Sequence, residues 1–177
     1  LNRQTIVLGL IGAAIAISYP LFKRFTHLPQ LYLGIAFSWG IPMAFAAQTG
    51  RVPALAWWIL CANLLWTVAY DTMYAMADRP DDLKIGLKST AILFGQYDLL
   101  VNAVLQALAL AVLGIIGWGL HLNGWYYLGL VGAAGTAVYQ YRLCRGRDRD
   151  MCLKAFINNT WFGACVFAGL VFSYRLN

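Results

Sequence analysis

The sequence predicts an all-α fold, a polytopic bundle of transmembrane helices, and three observations carry that expectation. Of its 177 residues, 61% are hydrophobic and 11% are charged, whereas an ordinary soluble domain carries about 25% charged residues. Six stretches approach the ~20 mostly apolar residues that a bilayer crossing needs: residues 5–22, 29–48, 53–76, 99–120, 125–141 and 156–174. The basic residues, finally, gather on alternate connections between those stretches.

The first span ends in Tyr19-Pro20-Leu21-Phe22-Lys23-Arg24, with no small-residue cleavage site, so it reads as a span and not a signal peptide. The second starts after His27-Leu28-Pro29 and contains Pro42, which should kink it. Thr49-Gly50-Arg51-Val52-Pro53 separates it from the third, and His121-Leu122-Asn123-Gly124 separates the fourth from the fifth. Connections this short make antiparallel neighbours. In the fifth span Gly129, Gly132, Ala133, Ala134 and Gly135 suit close helix approach. Trp57, Trp58, Trp118, Trp125, Tyr126 and Tyr127 suit an aromatic belt at one interface. The whole chain, 1–177, reads as one bundle. It opens on Leu1 with an apolar stretch following at once, so the expectation is a piece of a longer protein.

The net charge of +6 does not point to nucleic acid, because of where the charges lie. One face receives Lys23, Arg24, Arg79, Lys84, Lys88, Arg142, Arg145, Arg147, Arg149 and Lys154; the other receives Arg3, Arg51 and Arg175. By the positive-inside rule the first face is cytoplasmic, and the acidic residues fall on or near it. The 142–154 connection, with five basic residues and two aspartates, reads as a solvated topological anchor. Cys61, Cys144, Cys152 and Cys165 show no CxxC spacing and read as packing residues or free thiols. Asn158-Asn159-Thr160 matches a glycosylation sequon at the wrong face, and so reads as a chance match.

Four of the seven acidic residues lie in YDTMYAMADRPDD, at the end of the third span. A carboxylate at membrane depth costs ~2.5–3.5 kcal/mol on insertion scales, so such a group implies a cation or a wet cavity. On a helix Asp71 and Asp78 are seven residues apart and share a face to within about 20°. Pro80 should end that helix near Arg79, with Asp81 and Asp82 opening a short second helix through Lys84 and Lys88 to Ser89. Asp78 and Asp82 would then flank a break. Oxygen ligands without His or Cys suit Mg²⁺, which takes one or two carboxylates and fills its other positions with water and phosphate. Lys84, Lys88, Lys23 and Arg24 are placed to hold diphosphate oxygens. The plainer readings are that Asp81 and Asp82 are loop residues or helix caps, and that Lys84 and Lys88 are a topological anchor. The functional reading requires the acidic side chains to converge on a shared ion.

The stretch YDTMYAMADRPDDLKIGLKSTAILFG (70–95) resembles the second aspartate-rich region of the UbiA superfamily of intramembrane prenyltransferases, in detail the branch that modifies 4-hydroxybenzoate in ubiquinone synthesis. YPLFKRFTHLPQ (19–30) is similar to that family's YxxxK region, through Tyr19 and Lys23, and GIPMAFAA (40–47) to the helix that follows. The resemblance implies nine spans, six of them here, around a cavity open to the membrane. It implies a polyprenyl diphosphate held through Mg²⁺ by two aspartate-rich motifs, in the bacterial inner membrane. Carried over by position, Asp71, Asp78 and Asp82 are the second motif's metal ligands. Tyr19, Lys23 and Asp71 are the catalytic candidates, and Lys23, Arg24, Lys84 and Lys88 the diphosphate candidates. The first motif, of the form NDxxDxxxD, should precede Leu1 and has no substitute in the sequence.

The implied reaction transfers a polyprenyl group from its diphosphate to the ring of 4-hydroxybenzoate, ortho to the hydroxyl, and the chain alone is expected to be inactive. The partners expected are both substrates and the lipid bilayer. Two alternatives remain at this point: a transporter or channel with intramembrane carboxylates, and a prenyltransferase of the same superfamily with a different acceptor.

Overall fold

A computed structural model describes residues 2–176, apart from the side chain of Lys23. Among the described residues there are helices and no strands: α1 (Arg3–Phe25), α2 (Pro29–Ser38), α3 (Gly40–Thr49), α4 (Ala54–Ile85), α5 (Thr90–Phe94), α6 (Asp98–Gly119), α7 (Gly124–Cys144) and α8 (Arg149–Arg175). A single 3₁₀ turn, Gly95–Tyr97, joins α5 to α6. Helix starts are capped by side chains that accept orphan backbone N–H groups. Asn2 accepts from Thr5 at 2.9 Å, Ser89 from Ile92 at 3.3 Å and Asp148 from Met151 at 3.0 Å.

Five segments are both long and apolar enough to cross a membrane: Arg3–Phe22, Pro29–Thr49, Ala54–Ile85, Thr90–Gly119 and Arg149–Arg175. The fifth predicted span, now α7, has 21 residues, about 31 Å of helix, but is more polar. Its neighbours show that it runs the length of the bundle. It packs along α8, and the link after its C-terminus lies beside the start of α6, through Arg147 and Asp98. Five of the six predicted spans thus have the length and hydropathy of a crossing, and α7 occupies the position of the fifth predicted span.

Helix α4 is the hub, in contact with α2, α3, α5, α6 and α8, while α1 rests on α2 and α3. The bundle has few large apolar residues at its centre and uses small ones and paired polar groups instead, as membrane interiors do. Gly129 and Gly169 bring the backbones of α7 and α8 together: a Cβ on Gly129 would sit 2.6 Å from the Cys165 carbonyl oxygen and 2.8 Å from Gly169 Cα. Polar staples join the other helices. Asn102 Nδ2 donates to the Ala69 carbonyl at 2.5 Å, Gln106 Nε2 to Gln140 Oε1 at 3.0 Å, and Trp66 Nε1 to Asn159 Oδ1 at 2.8 Å. Asn159, the middle residue of the sequon match, is thus a buried packing residue on α8.

Two prolines meet expectation differently. Pro42 cannot donate to the Ser38 carbonyl, and the predicted kink falls at Trp39, the one residue between α2 and α3, whose backbone stays in the αR region at φ −65° and ψ −22°. Trp39 Nε1 donates to the Leu8 carbonyl of α1 at 2.9 Å. Pro80, in contrast, does not end its helix. A proline inside a helix costs about 3 kcal/mol, yet α4 continues through it to Ile85 and stops at Gly86, which takes the left-handed conformation with φ 71°. The N–H groups of Gly86 and Leu87 both return to the Asp82 carbonyl. The short helix expected over 81–89 is therefore the last turn and a half of α4, and Lys88 lies beyond the cap. The cause is tertiary: Arg79 and Asp81, on either side of Pro80, are fastened to neighbouring helices.

Candidate functional site

Because α4 is continuous, Asp71, Asp78 and Asp82 stand at relative positions 0, 7 and 11 and lie within about 40° of one another around its axis. Tyr74 lies at the edge of that stripe. Its hydroxyl lies beside Asp78 and feels the charges of Asp71 and Asp82 as well. Across from it, Tyr19 of α1 is near enough to Asp71 to feel its charge. The structure thus brings Tyr19 and the three predicted acids to one face, and Asp82 is nearly buried.

The three acids do not close around one ion by themselves. At 1.5 Å per residue the stripe extends about 16 Å along the helix, and among the described residues no three His, Cys, Asp or Glu side chains gather closely enough to hold one metal ion. The donors are all hard oxygens, which fit Mg²⁺ held by one or two carboxylates. They form a ladder along the helix, not a cage. Asp78 and Asp82 are one turn apart on the same face, where the sequence placed a break between them.

The basic candidates divide. Lys88 Nζ donates to the Phe25 carbonyl at the end of α1 at 3.3 Å. Close by, Gln30 Oε1 accepts from the Thr90 backbone N–H at 3.0 Å, and the Thr90 and Thr72 hydroxyls are 2.8 Å apart. Lys88 is thereby fixed beside the α1–α2 turn, on the side of the acidic stripe. Arg24, in the last turn of α1, is exposed and stands about 140° from Tyr19 around that helix, while the side chain of Lys23 lies outside the described residues. Lys84 points elsewhere. Its Nζ is 3.1 Å from Asp81 Oδ1, and it is 73% exposed; on the helix it stands about 140° from Asp71.

The sequence reading missed the strongest electrostatic feature at this end of the bundle. Asp98, at the first turn of α6, is completely buried. It accepts from Arg79 Nη2 and from Arg147, whose Nη2 is 2.8 Å and Nε 3.1 Å from Oδ1. Arg79 also donates to the carbonyls of Ala91 and Gly95, and Arg147 to that of Gln96 at 2.9 Å. Asp98 holds the Arg147 guanidinium above its usual pKa. Arg149 Nη1 pairs with Asp81 Oδ2 at 2.9 Å. The 142–154 connection is therefore no free anchor: α7 and α8 occupy most of it, and two of its arginines bind acids on other helices. An acid just ahead of an apolar run of 20 residues was the available signal, but nothing local pairs Asp98 with an arginine 49 residues away.

Away from the charges, aromatic rings run along α4 and α8. Tyr74 and Tyr70 both pack on Phe156, with centroids 5.2 and 5.9 Å away. Trp66 meets Tyr70 edge-on and stacks on Phe162 at 5.3 Å. The file ends at an apolar cavity of about 230 Å³ lined by residues including Ile41, Ile59, Trp66, Leu113 and Phe162. At the opposite end of the bundle Trp57, Trp58, Trp118, Trp125 and Tyr127 are exposed, as a belt requires, whereas Tyr126 is buried against Gly117 of α6 and donates its hydroxyl to the Leu113 carbonyl at 2.9 Å, so it packs the bundle and does not belong to the belt.

A profile of the UbiA prenyltransferase family matches residues 1–172. The chain belongs to the UbiA prenyltransferase family. It is 55% identical over 175 residues to a 4-hydroxybenzoate octaprenyltransferase of Coxiella burnetii, covering 99% of this chain and 61% of that protein. It is 57% identical over 174 residues to one of Methylococcus capsulatus, covering 98% and 60%. The chain thus spans about three-fifths of the length of these UbiA relatives. The apo structure of a UbiA homolog from Aeropyrum pernix K1 superposes with a TM-score of 0.74 at 24% identity, over 96% of this chain and 66% of that one. At that identity it supports the fold alone.

Proposed function

We propose that this chain is the part of a 4-hydroxybenzoate polyprenyltransferase that carries one of its two acidic ligand sets. The observation that carries the proposal is the ladder of Asp71, Asp78 and Asp82 on one face of α4, opposite Tyr19 and beside Lys88. The relatives' names point to an octaprenyl diphosphate as donor and 4-hydroxybenzoate as acceptor, for ubiquinone synthesis. The excess of basic residues at the Asp71 end supports a cytoplasmic orientation for the site in a bacterial inner membrane.

In this reading Asp71, Asp78 and Asp82 would hold Mg²⁺ together with acids elsewhere in the whole protein. When bound, the ion supplies Lewis-acid stabilisation of the diphosphate leaving group. Lys23, Lys88 and Arg24 bind the diphosphate oxygens from the α1–α2 side, and Tyr19 orients the ester against Asp71. The allylic C–O bond breaks with its electron pair leaving on diphosphate. The acceptor carbon ortho to the phenol hydroxyl then forms the new C–C bond, and its proton departs to a base. The aromatic file and the apolar cavity offer a path for the isoprenoid tail, and their apolar walls exclude water from the cation.

The test uses membranes containing the full-length protein, ring-labelled 4-hydroxybenzoate and octaprenyl diphosphate, with Mg²⁺ or with EDTA. Transfer of label into the organic phase with Mg²⁺ alone is expected. No transfer under either condition would overturn the proposal and favour ion or solute transport. Transfer only to a different labelled phenol or naphthoate would keep the enzyme class and replace the acceptor.

A further inference from the structure

We propose that Asp98 is a positioning residue for the acidic ladder: gripped by Arg79 and Arg147, it holds α4 helical across Pro80, so that Asp82 stays on the face that carries Asp71 and Asp78. The inference rests on the reading of those acids as metal ligands, and it concerns how their spacing is maintained.

Pro80 leaves the Met76 carbonyl without its helical donor, and only five helical residues follow before the Gly86 cap. So short an extension does not support itself. Its two flanks are tied to other helices. Arg79, the residue before Pro80, reaches Asp98 at the start of α6; Asp81, the residue after it, meets Arg149 at the start of α8. The two ties differ in kind. Asp81 and Arg149 are about half exposed, where ion pairs contribute little. Asp98 has no exposed side-chain surface, and both its oxygens are engaged.

The third member of the triad is also held in place. Arg147 has φ 53°, the left-handed region that a residue with a Cβ avoids. Such backbone persists where surrounding contacts over-determine it, and here these are Asp98 and the Gln96 carbonyl. Buried ion triads often add little stability over apolar residues of the same size. In some proteins they instead fix a single arrangement. This one joins the end of α4, the α5–α6 turn and the α7–α8 link, and its Arg79 is the immediate neighbour of Asp78.

The experiment uses the full-length protein in nanodiscs, with Mn²⁺ as the probe, read by the electron paramagnetic resonance of free Mn²⁺, and with hydrogen exchange of peptides covering 80–89. Asp98→Asn should raise exchange over 81–88 at least fivefold and leave the α7–α8 core unchanged. It should also raise the half-saturating Mn²⁺ concentration at least fivefold, with a smaller fall in kcat at saturating metal, and Asp98→Glu should recover part of both effects. Exchange that rises evenly throughout the bundle, or unchanged exchange over 81–88, would overturn the proposal. So would unchanged metal affinity in a protein whose wild type binds Mn²⁺. If Asp98→Asn does not fold, Arg147→Lys, which keeps the charge and loses the two-pronged grip, takes the same test with the same deciding outcomes. If the wild type binds no Mn²⁺, the metal reading fails, and exchange over 81–88 alone decides the role of Asp98: a selective rise supports it.

Discussion

Three glycines on one helix, Gly129, Gly132 and Gly135, should respond to alanine in a graded order fixed by what each faces. At Gly129 the new Cβ would meet the Cys165 carbonyl at 2.6 Å and Gly169 Cα at 2.8 Å. Ordinary contact starts at 3.4 Å, so α8 backbone must retreat by about 0.8 Å, from 2.6 to 3.4 Å. Backbone on a neighbouring helix cannot rotate away, and the cost belongs at the upper end of overpacking, about 2–3 kcal/mol. At Gly132 the obstacles are Cys165 Sγ at 3.1 Å and its Cβ at 3.4 Å. A side chain can turn, for about 0.5–1.5 kcal/mol. Gly135 faces nothing within 4 Å, and alanine there should stabilise the helix by about 0.5–1 kcal/mol. The assay is reversible unfolding in mixed micelles of rising SDS fraction, followed by tryptophan fluorescence. Equal shifts for all three, or a larger loss at Gly132 than at Gly129, would refute the claim that α7 and α8 meet backbone to backbone at Gly129.

The remaining predictions concern the site and its supports, in the full-length protein. Asp71→Asn should lower turnover by about 100-fold or more, the scale for losing one fixed electrostatic group, with membrane insertion measured as normal; unchanged turnover would remove Asp71 from the chemistry. Lys84→Ala should change turnover less than about twofold, because an exposed pair with Asp81 contributes little, while Lys88→Ala should cost about tenfold, or ~1.4 kcal/mol. The reverse order in steady-state assays would place the diphosphate on the other side of α4. Trp66→Phe keeps the ring stack on Phe162 but leaves the buried Asn159 oxygen without its donor. It should cost about 1–3 kcal/mol in the same micelle assay.

The helices were legible because membrane insertion is a local property of about 20 residues at a time, and the acidic face because a seven-residue spacing survives in any helix. What the sequence reading could not recover were outcomes settled by distant partners. Whether Pro80 ends α4 depends on Asp98, 19 residues beyond Arg79, and on Arg149, 68 residues beyond Asp81. A local rule correctly registers the missing hydrogen bond at Pro80 and has no access to those ties. At Pro42 the same local defect bends the chain at Trp39, with Trp39 fastened to Leu8 of α1 and Ser38 to Asn63 of α4. Lys84 was misplaced for a related reason, since extending a helix through Pro80 swings it to the side where Asp81 waits.

These differences divide the charges at one end of the bundle into two groups with separate tasks. Arg79, Arg147, Lys84 and Arg149 are engaged by Asp98 and Asp81, on the sides of α4 that face α6, α8 and open solvent. Those cations are committed to holding the helix. Lys88 alone among the described basic side chains is tied to the end of α1 on the Tyr19 side, and Lys23 follows Tyr19 by one helical turn in the sequence. In the proposed reading a diphosphate approaching the ladder meets Lys88 beside the end of α1, and not the cations that Asp98 and Asp81 engage. An Arg147→Ala substitution, which removes half the grip on Asp98, should accordingly loosen the 81–85 turn, seen as faster hydrogen exchange there, while Lys23→Ala should raise the KM for the diphosphate and leave that exchange unchanged. Interchanged results would show that structural and ligand-binding cations are not divided between the two sides of α4.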